Sequence, residues 1–239
     1  GVHLVTDCTV TDLEHRKKNG KLIVTALHCR SPHETIVVGE RDLVFLQNGS
    51  MTDASSLGSM SAPPEKRTRD ASGSWTLWEK LAEGRPEFGN PAAFNTCVAQ
   101  SYWHSFTVTL KNPAFFDRMT GFTGNEPGTG GLVTFKDSNW LMSIVLAWQP
   151  HFRNQPPDVQ VFWGYALFPD RIGNFVPKAM ADCSGAEILT ELCGHLRFDW
   201  EIVASAHCIP GRMPYITSMF MPRRTGDRPL PVPSGCKNL

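Results

Sequence analysis

Between residues 102 and 168 the chain crowds together four segments rich in aromatic and β-branched residues: 102–110 (YWHSFTVTL), 131–136 (GLVTFK), 139–148 (NWLMSIVLAW) and 159–168 (VQVFWGYALF). Gly, Pro, Asn and Asp bound each run, and side chains of these shapes suit a pleated, half-buried surface better than a helix. The pattern predicts a mostly antiparallel sheet. An earlier β region precedes it: 2–14 and 21–29 alternate roughly in polarity, and Lys17-Lys18-Asn19-Gly20 between them reads as the turn of a hairpin. Gly1 thus stands at the opening of what reads as a strand. A turn at Ser31-Pro32 leads to a short strand at Thr35–Val38. Asp42–Leu46 (DLVFL) is then a nearly continuous apolar run of the kind buried on both faces, and it ends at Gln47-Asn48-Gly49-Ser50.

Helical signals are fewer. Leu77, Trp78 and Leu81 recur at helical spacing over Ser74–Glu83, with Gly84 placed to stop the helix. Ser184-Gly185-Ala186-Glu187 has the form of a capping box ahead of Ile188, Leu189 and Leu192, predicting a helix over 185–197. A further helical stretch is expected at Trp200–His207. The polar stretch Met51–Gly73 has no apolar period and is the candidate domain boundary. The last thirty residues hold six prolines, from Pro210 to Pro233, so they are expected to be irregular but pinned to the surface of the sheet.

At 239 residues, 41% hydrophobic and 19% charged, the composition is that of a soluble globular protein with enough chain to bury a sizeable core. Twenty-three basic residues balance twenty-three acidic ones, which removes the positive field a nucleic-acid binder uses against phosphate. Seven cysteines, an odd number with no C-x-x-C pair, favour a reduced, cytoplasmic setting. No charged-then-apolar leader opens the chain, and no run of 18 apolar residues occurs in it. The eight histidines form no H-E-x-x-H and no cysteine stands at zinc spacing, so no metal is expected. Gly128-Thr129-Gly130-Gly131 lacks the Lys-Ser/Thr of a phosphate loop and precedes a strand, so it reads as a turn. Ser50 lacks the flanking glycines of a nucleophile elbow.

Two segments are chemically denser than their surroundings. In Phe45–Asp53 a strand runs into a small amide- and hydroxyl-rich turn, where backbone can approach a flat ligand closely; an ordinary Asn-Gly turn is the alternative reading. In Trp148-Gln149-Pro150-His151-Phe152 a strand ends at a proline beside one histidine, which suits an anion-holding group or a core histidine satisfied by backbone.

These segments, together with Gly73–Leu81, Asp137–Phe152, Val161–Pro169, Ala181–Leu196 and Arg212–Asp227, resemble the oleate hydratase family, flavoproteins also called myosin-cross-reactive antigens. The resemblance implies an FAD-bound hydro-lyase that adds water across the cis double bond of an unsaturated fatty acid. It implies an α+β fold in which residues 1–53 are a remnant of a Rossmann-like FAD-binding domain. Residues 54–73 are then a loop, 74–210 a mostly antiparallel substrate domain with peripheral helices, and 211–239 a proline-rich return towards the flavin domain. The family's glycine-rich fingerprint is not in this sequence, and its glutamate and tyrosine acid/base pair belongs to segments expected upstream of Gly1. No catalytic residue is therefore assigned here, and the chain alone is expected to be an inactive fragment that exposes an apolar patch. Family members continue past the matched part into a region linked to membrane association.

Residue by residue, Asn48, Gly49, Ser50, Met51 and Thr52 match the family turn beside the flavin. Val10 lies in a strand resembling one that passes near the adenine, with a plain core position as the alternative. The family's carboxylate-holding T-x-N-R-Q-P-H-F corresponds to Val145-Leu146-Ala147-Trp148-Gln149-Pro150-His151-Phe152. His151 survives, whereas Val145 and Ala147 replace the Thr and Asn donors. Tyr215 matches a stretch near the acyl cavity, or else anchors a proline-rich loop. A non-catalytic fatty-acid-binding or interaction module, a homo-oligomer, and one chain of a split hydratase with a companion chain are the other readings.

Overall fold

The computed structural model describes residues 1–30, 35–68, 73–217 and 223–239. Two compact units emerge, one formed by residues 1–54, 68–101 and 214–239, the other by 55–67 and 102–213. The chain thus leaves the first unit and returns to it within the polar stretch 51–73. The expected Ser31-Pro32 turn lies outside the described residues.

The first unit is built on an antiparallel sheet of β1 (Thr9–Lys18), β2 (Lys21–Arg30) and β3 (Thr35–Val37), in that order. The first strand begins later than its sequence pattern predicts. Gly1 opens no strand: residues 1–8 join no ladder with any described residue, and Val2 and Leu4 are 96% and 80% exposed. The hairpin turn forms as expected at Asn19-Gly20, where both residues take positive φ (53° and 75°), the handedness that matches strand twist. Helix α1 (Ser74–Ala82) buries Trp75, Trp78 and Leu81 at three-residue spacing, and Gly84 ends it at φ 66°. Leu81 joins Leu13, Leu22, Val24 and Phe88 in one apolar cluster, and Lys80 reaches Asp12 at 2.7 Å. Two short helices, α2 (Ala92–Asn95) and α3 (Val98–Ser101), complete the unit. The proline-rich end is pinned as expected. Leu22 N–H donates to the Gly235 carbonyl (2.7 Å), and the Asn238 side chain accepts from Val24 N–H (2.8 Å) while donating to the Val24 carbonyl (2.9 Å).

Asp42–Leu46 departs from expectation. It is extended but joins no ladder: Leu43 and Phe45 are 68% and 92% exposed, while Val44 and Leu46 pack on the Leu13 cluster. Val44 N–H donates to the Asn238 carbonyl (2.7 Å), and no strand flanks the segment among the described residues, so only one of its two apolar faces finds cover. The described elements of residues 1–53 are antiparallel. The Rossmann-like relation implied by the resemblance is not visible in this topology.

The second unit is a six-stranded antiparallel sheet of β4 (Ser56–Leu57), β5 (Trp103–Leu110), β6 (Leu132–Thr134), β7 (Met142–Leu146), β8 (Gln160–Ala166) and β9 (His207–Met213), ordered β4-β9-β5-β8-β7-β6. Four of these strands are the segments anticipated from the sequence. On one face Phe106, Val108, Ile144 and Phe162 pack against two helices, α4 (Ala114–Thr123) and α5 (Gly185–Leu196). The Ser184–Glu187 capping box closes α5 as predicted, with both reciprocal hydrogen bonds present.

Three features of this unit differ from the sequence reading. Helix α4 was not anticipated; Phe115, Phe116 and Met119 give it a buried stripe that its polar neighbours mask. The helix expected at 200–207 shortens to a single 3₁₀ turn at Trp200–Val203. Residues 207–213, partly assigned to the irregular tail because of Pro210, form the inner strand β9. In a strand the N–H and C=O of one residue point to the same side, and the Pro210 carbonyl accepts from Gly58 N–H (2.8 Å). The missing donor therefore faces the two-residue β4, the short edge of the sheet, where proline is tolerated.

Candidate functional site

In the first unit, the turn after Leu46 is held by its own small side chains. Ser50 Oγ lies 3.0 Å from Thr52 Oγ1 and accepts from Thr52 N–H (3.2 Å), and Asp53 N–H donates to the Ser50 carbonyl (3.2 Å). From α1, Trp75 Nε1–H donates to that same carbonyl (3.1 Å). Gly49 has φ 70°, and a Cβ there would come within 2.6 Å of the Trp75 ring, so only glycine lets turn and indole meet this closely.

Beneath the turn lies an aromatic stack. Trp75 sits 5.7 Å from Trp78 and 5.2 Å from the fully buried Tyr215, and Trp78 sits 5.2 Å from Phe94. A cleft of about 350 Å³ runs between Gln47–Met51, this stack and Arg228. A second, of about 540 Å³, lies on the other side of Asn48 between Leu43–Leu46 and the Pro229–Pro233 segment. Asn48 borders both, and its Oδ1 is buried with no hydrogen-bond donor in reach among the described residues. A flat heteroaromatic ring with N–H donors fits this combination of aromatic wall, orphaned acceptor and nearby guanidinium. The structure thus brings Asn48–Met51 to one cleft and sets Tyr215 against its Trp75 wall. Thr52 braces the turn. Val10 instead packs on the Leu13 cluster and lines neither cleft. Gly1 lines neither cleft.

In the second unit, β7 carries Val145 and leads through Ala147 into a loop with a cis Gln149–Pro150 bond. Two glutamines hold this loop. Gln149 Nε2 donates to the Ala147 and Val161 carbonyls (both 2.9 Å), while its Oε1 accepts from Val161 N–H (3.1 Å) and Gln155 Nε2 (2.7 Å). Gln155 also donates to the Val159 carbonyl (2.6 Å), and its Oε1 accepts the His151 and Phe152 N–H groups (2.9 and 3.2 Å). Each amide uses all four of its hydrogen-bonding positions. His151 is consequently fixed by its backbone but exposed in its side chain, with its ring edge-on to Phe152 at 4.8 Å. It is not a core histidine. Nothing in the sequence marked the two glutamines as the loop's framework, because the pairing depends on the loop closing back on β8.

One buried polar group was also missed. On β5, alternation puts His104 on the face of Phe106 and Val108, opposite Arg212 of β9. Both His104 ring nitrogens and Arg212 Nε are buried without partners among the described residues, and the Arg212 guanidinium lies 4.1 Å over the Tyr102 ring. Burial, and then the Arg212 charge, lower the His104 pKa to about 4. Burial first, then the Asp170 carboxylate, raise that of Tyr102 above the phenol range. A histidine at period two with three apolar residues was the available signal. Elsewhere all seven cysteines are free thiols, and burial pushes Cys193 up to about 11 and Cys183 to about 12, which favours the protonated thiol. Among the described residues no cluster of three metal-ligating side chains occurs, and no helix is long and apolar enough to cross a membrane.

The chain is similar to curated proteins of two bacteria. It is 37% identical over its whole length to a protein of Streptococcus pyogenes serotype M49 (strain NZ131) named oleate hydratase, of which it covers 42%. It is 34% identical, over 86% of its length, to a Lactiplantibacillus plantarum protein named linoleate hydratase, of which it covers 40%. The chain thus spans about two-fifths of the length of these relatives. The sequence profile of the MCRA family matches residues 1–239 without remainder, and the chain belongs to the MCRA family.

Proposed function

We propose that this chain forms part of an FAD-dependent hydratase that adds water across the cis double bond of an unsaturated fatty acid such as oleate, giving a hydroxy fatty acid. The observation that carries the reading is the whole-chain family match together with relatives named oleate and linoleate hydratase. Because hydration involves no net redox change, the bound flavin would act as a flat, polar template and not as an electron carrier. In this reading the first unit holds part of the cofactor. Asn48 Oδ1 would be free to accept a ring N–H, Gly49–Thr52 would border the ring, Trp75 and Trp78, supported by Tyr215, would form its wall, and Arg228 would meet negative charge. The second unit holds the acyl substrate near His151. Val10 belongs to the core of the first unit, in the Leu13 cluster, on the strand that the resemblance sets near the adenine.

The acid and base that protonate the alkene and activate water are assigned to parts of the full-length enzyme upstream of Gly1. A positioned acid or base contributes about 10²–10⁴-fold, so the chain by itself is expected to show no turnover. Membrane contact and companion-chain association belong, in this reading, to parts of that enzyme outside residues 1–239.

The test is incubation with oleate and FAD in oxygen-18 water, followed by mass spectrometry, for the 239-residue chain and for a full-length protein containing it. Labelled hydroxy acid from the full-length protein alone supports the reading. Product from the 239-residue chain overturns the assignment of the acid and base, and absence of product from both overturns the hydratase.

A further inference from the structure

The loop between β7 and β8 owes its shape to a relay of two side-chain amides. Leu146 pairs with Phe162 in the ladder, so Val161 is the next residue of β8 in line for a partner. The Gln149 side chain takes that place. Its Oε1 accepts from Val161 N–H (3.1 Å) and its Nε2 donates to the Val161 carbonyl (2.9 Å), the two bonds that a residue of a neighbouring strand would make. Gln155 is tied in turn to Gln149, its Nε2 donating to Gln149 Oε1 (2.7 Å) and to the Val159 carbonyl (2.6 Å). The Gln155 oxygen then accepts the N–H groups of both His151 (2.9 Å) and Phe152 (3.2 Å).

The two glutamines are half-buried, whereas residues 150–154 between them are exposed. An exposed backbone has little packing to fix it, so the place of His151 follows from these bonds. One oxygen holding two successive N–H groups sets the plane of the peptide between them, and with it the direction in which the His151 side chain leaves the main chain. Because both amides have all four of their hydrogen-bonding positions filled, neither has one left for a ligand.

We propose that Gln149 and Gln155 are positioning residues for fatty-acid recognition: they act through the His151 main chain and hold its imidazole where it meets the substrate carboxylate. This rests on the acyl-substrate part of the proposed function and extends it from the contact residue to the relay that places it.

The experiment is steady-state hydration of oleate by a full-length, FAD-loaded protein containing this chain, for Gln155→Met, His151→Ala and the double variant. Methionine matches glutamine in length but offers the two N–H groups no oxygen. KM for oleate should rise about 10-fold, the worth of one hydrogen bond to a charged group. kcat should stay unchanged, since the carboxylate is remote from the reacting double bond and its binding is uniform along the reaction. Gln149→Met should act in the same direction. His151→Ala should raise KM at least as much as Gln155→Met, and the double variant should match His151→Ala within about 2-fold, because no imidazole is left to position. Gln155→Glu keeps an oxygen towards both N–H groups but turns its second oxygen on those of Gln149 and Val159. It should also raise KM, and it carries the cycle if the methionine variant does not fold. Gln155 variants that lower kcat at unchanged KM, or whose effect multiplies with that of His151→Ala, would overturn the positioning role. A KM indifferent to His151→Ala would overturn the placing of the carboxylate at His151 and this proposal with it. Absence of turnover by the unaltered full-length protein would overturn the hydratase, so the three failures read apart.

Discussion

Replacing Glu191 with glutamine tests a buried carboxylate of the second unit that accepts three backbone N–H groups. Glu191 lies on α5 with no solvent exposure, and its carboxylate ties down the loop that follows Gly173. Oε1 accepts from Asn174 N–H (2.7 Å), Oε2 accepts from Phe175 and Val176 N–H (both 2.8 Å), and His195 Nε2 lies 3.2 Å from Oε1. A Cβ on Gly173 would fall 2.7 Å from Oε2, so the loop approaches the carboxylate as closely as its backbone allows. Glutamine has the same shape but one acceptor oxygen. Turning that oxygen towards Phe175 and Val176 leaves the amide facing Asn174 N–H, donor against donor. One buried N–H then goes unsatisfied at about 1–3 kcal/mol, and two charge-assisted bonds become neutral at about 0.5–1 kcal/mol each. The expected loss is about 3 kcal/mol, or roughly 6–12 °C in Tm. Urea unfolding should show a lower midpoint with unchanged slope, and hydrogen exchange should accelerate at the amides of 174–176. A loss below about 0.5 kcal/mol, or unchanged protection at those three amides, would refute the view that the carboxylate holds the loop.

Two further outcomes follow from the same kind of accounting. His104 has a folded pKa of about 4 against 6.5 when unfolded, so the unfolded chain binds more protons between these values. Its neutral form supports full stability above pH 6.5, and roughly 3 kcal/mol is lost as pH falls to 4. Around it Arg212 and Lys66 oppose protonation while Asp170 and Asp182 favour it. Denaturant titrations at pH 7 and pH 4.5 should therefore show a smaller acid loss for His104→Leu than for the unaltered chain, and equal losses would contradict the assignment. Gly49→Ala should cost about 2–4 kcal/mol, from the left-handed φ and the collision with Trp75, and should change the near-ultraviolet circular dichroism of that indole. An unchanged spectrum and Tm would show that the turn moves freely away from α1.

Local chemistry decided much of this molecule within the sequence itself. Asn19-Gly20 dictates its hairpin turn, Ser184 and Glu187 dictate where α5 starts, and the β-branched and aromatic runs dictate strands β5 to β8, because each rests on backbone preferences acting over a few residues. The small polar side chains of the Asn48–Thr52 turn and the single histidine after Pro150 were also plain in the sequence. Their environment was not. Whether Asp42–Leu46 is buried on both faces depends on what lies beside it, and here it is covered on one side only. The alternation after Gly1 likewise forms no ladder with the described residues before Thr9, because alternation alone does not supply a neighbouring strand. Pro210 argued against a strand until β9 found a two-residue edge on the side of its missing donor. The four-bond saturation of Gln149 and Gln155 and the burial of His104 opposite Arg212 depend on which strand lies next to which. Long-range pairing sets desolvation and hydrogen-bond completion, and these terms have no local sequence signature.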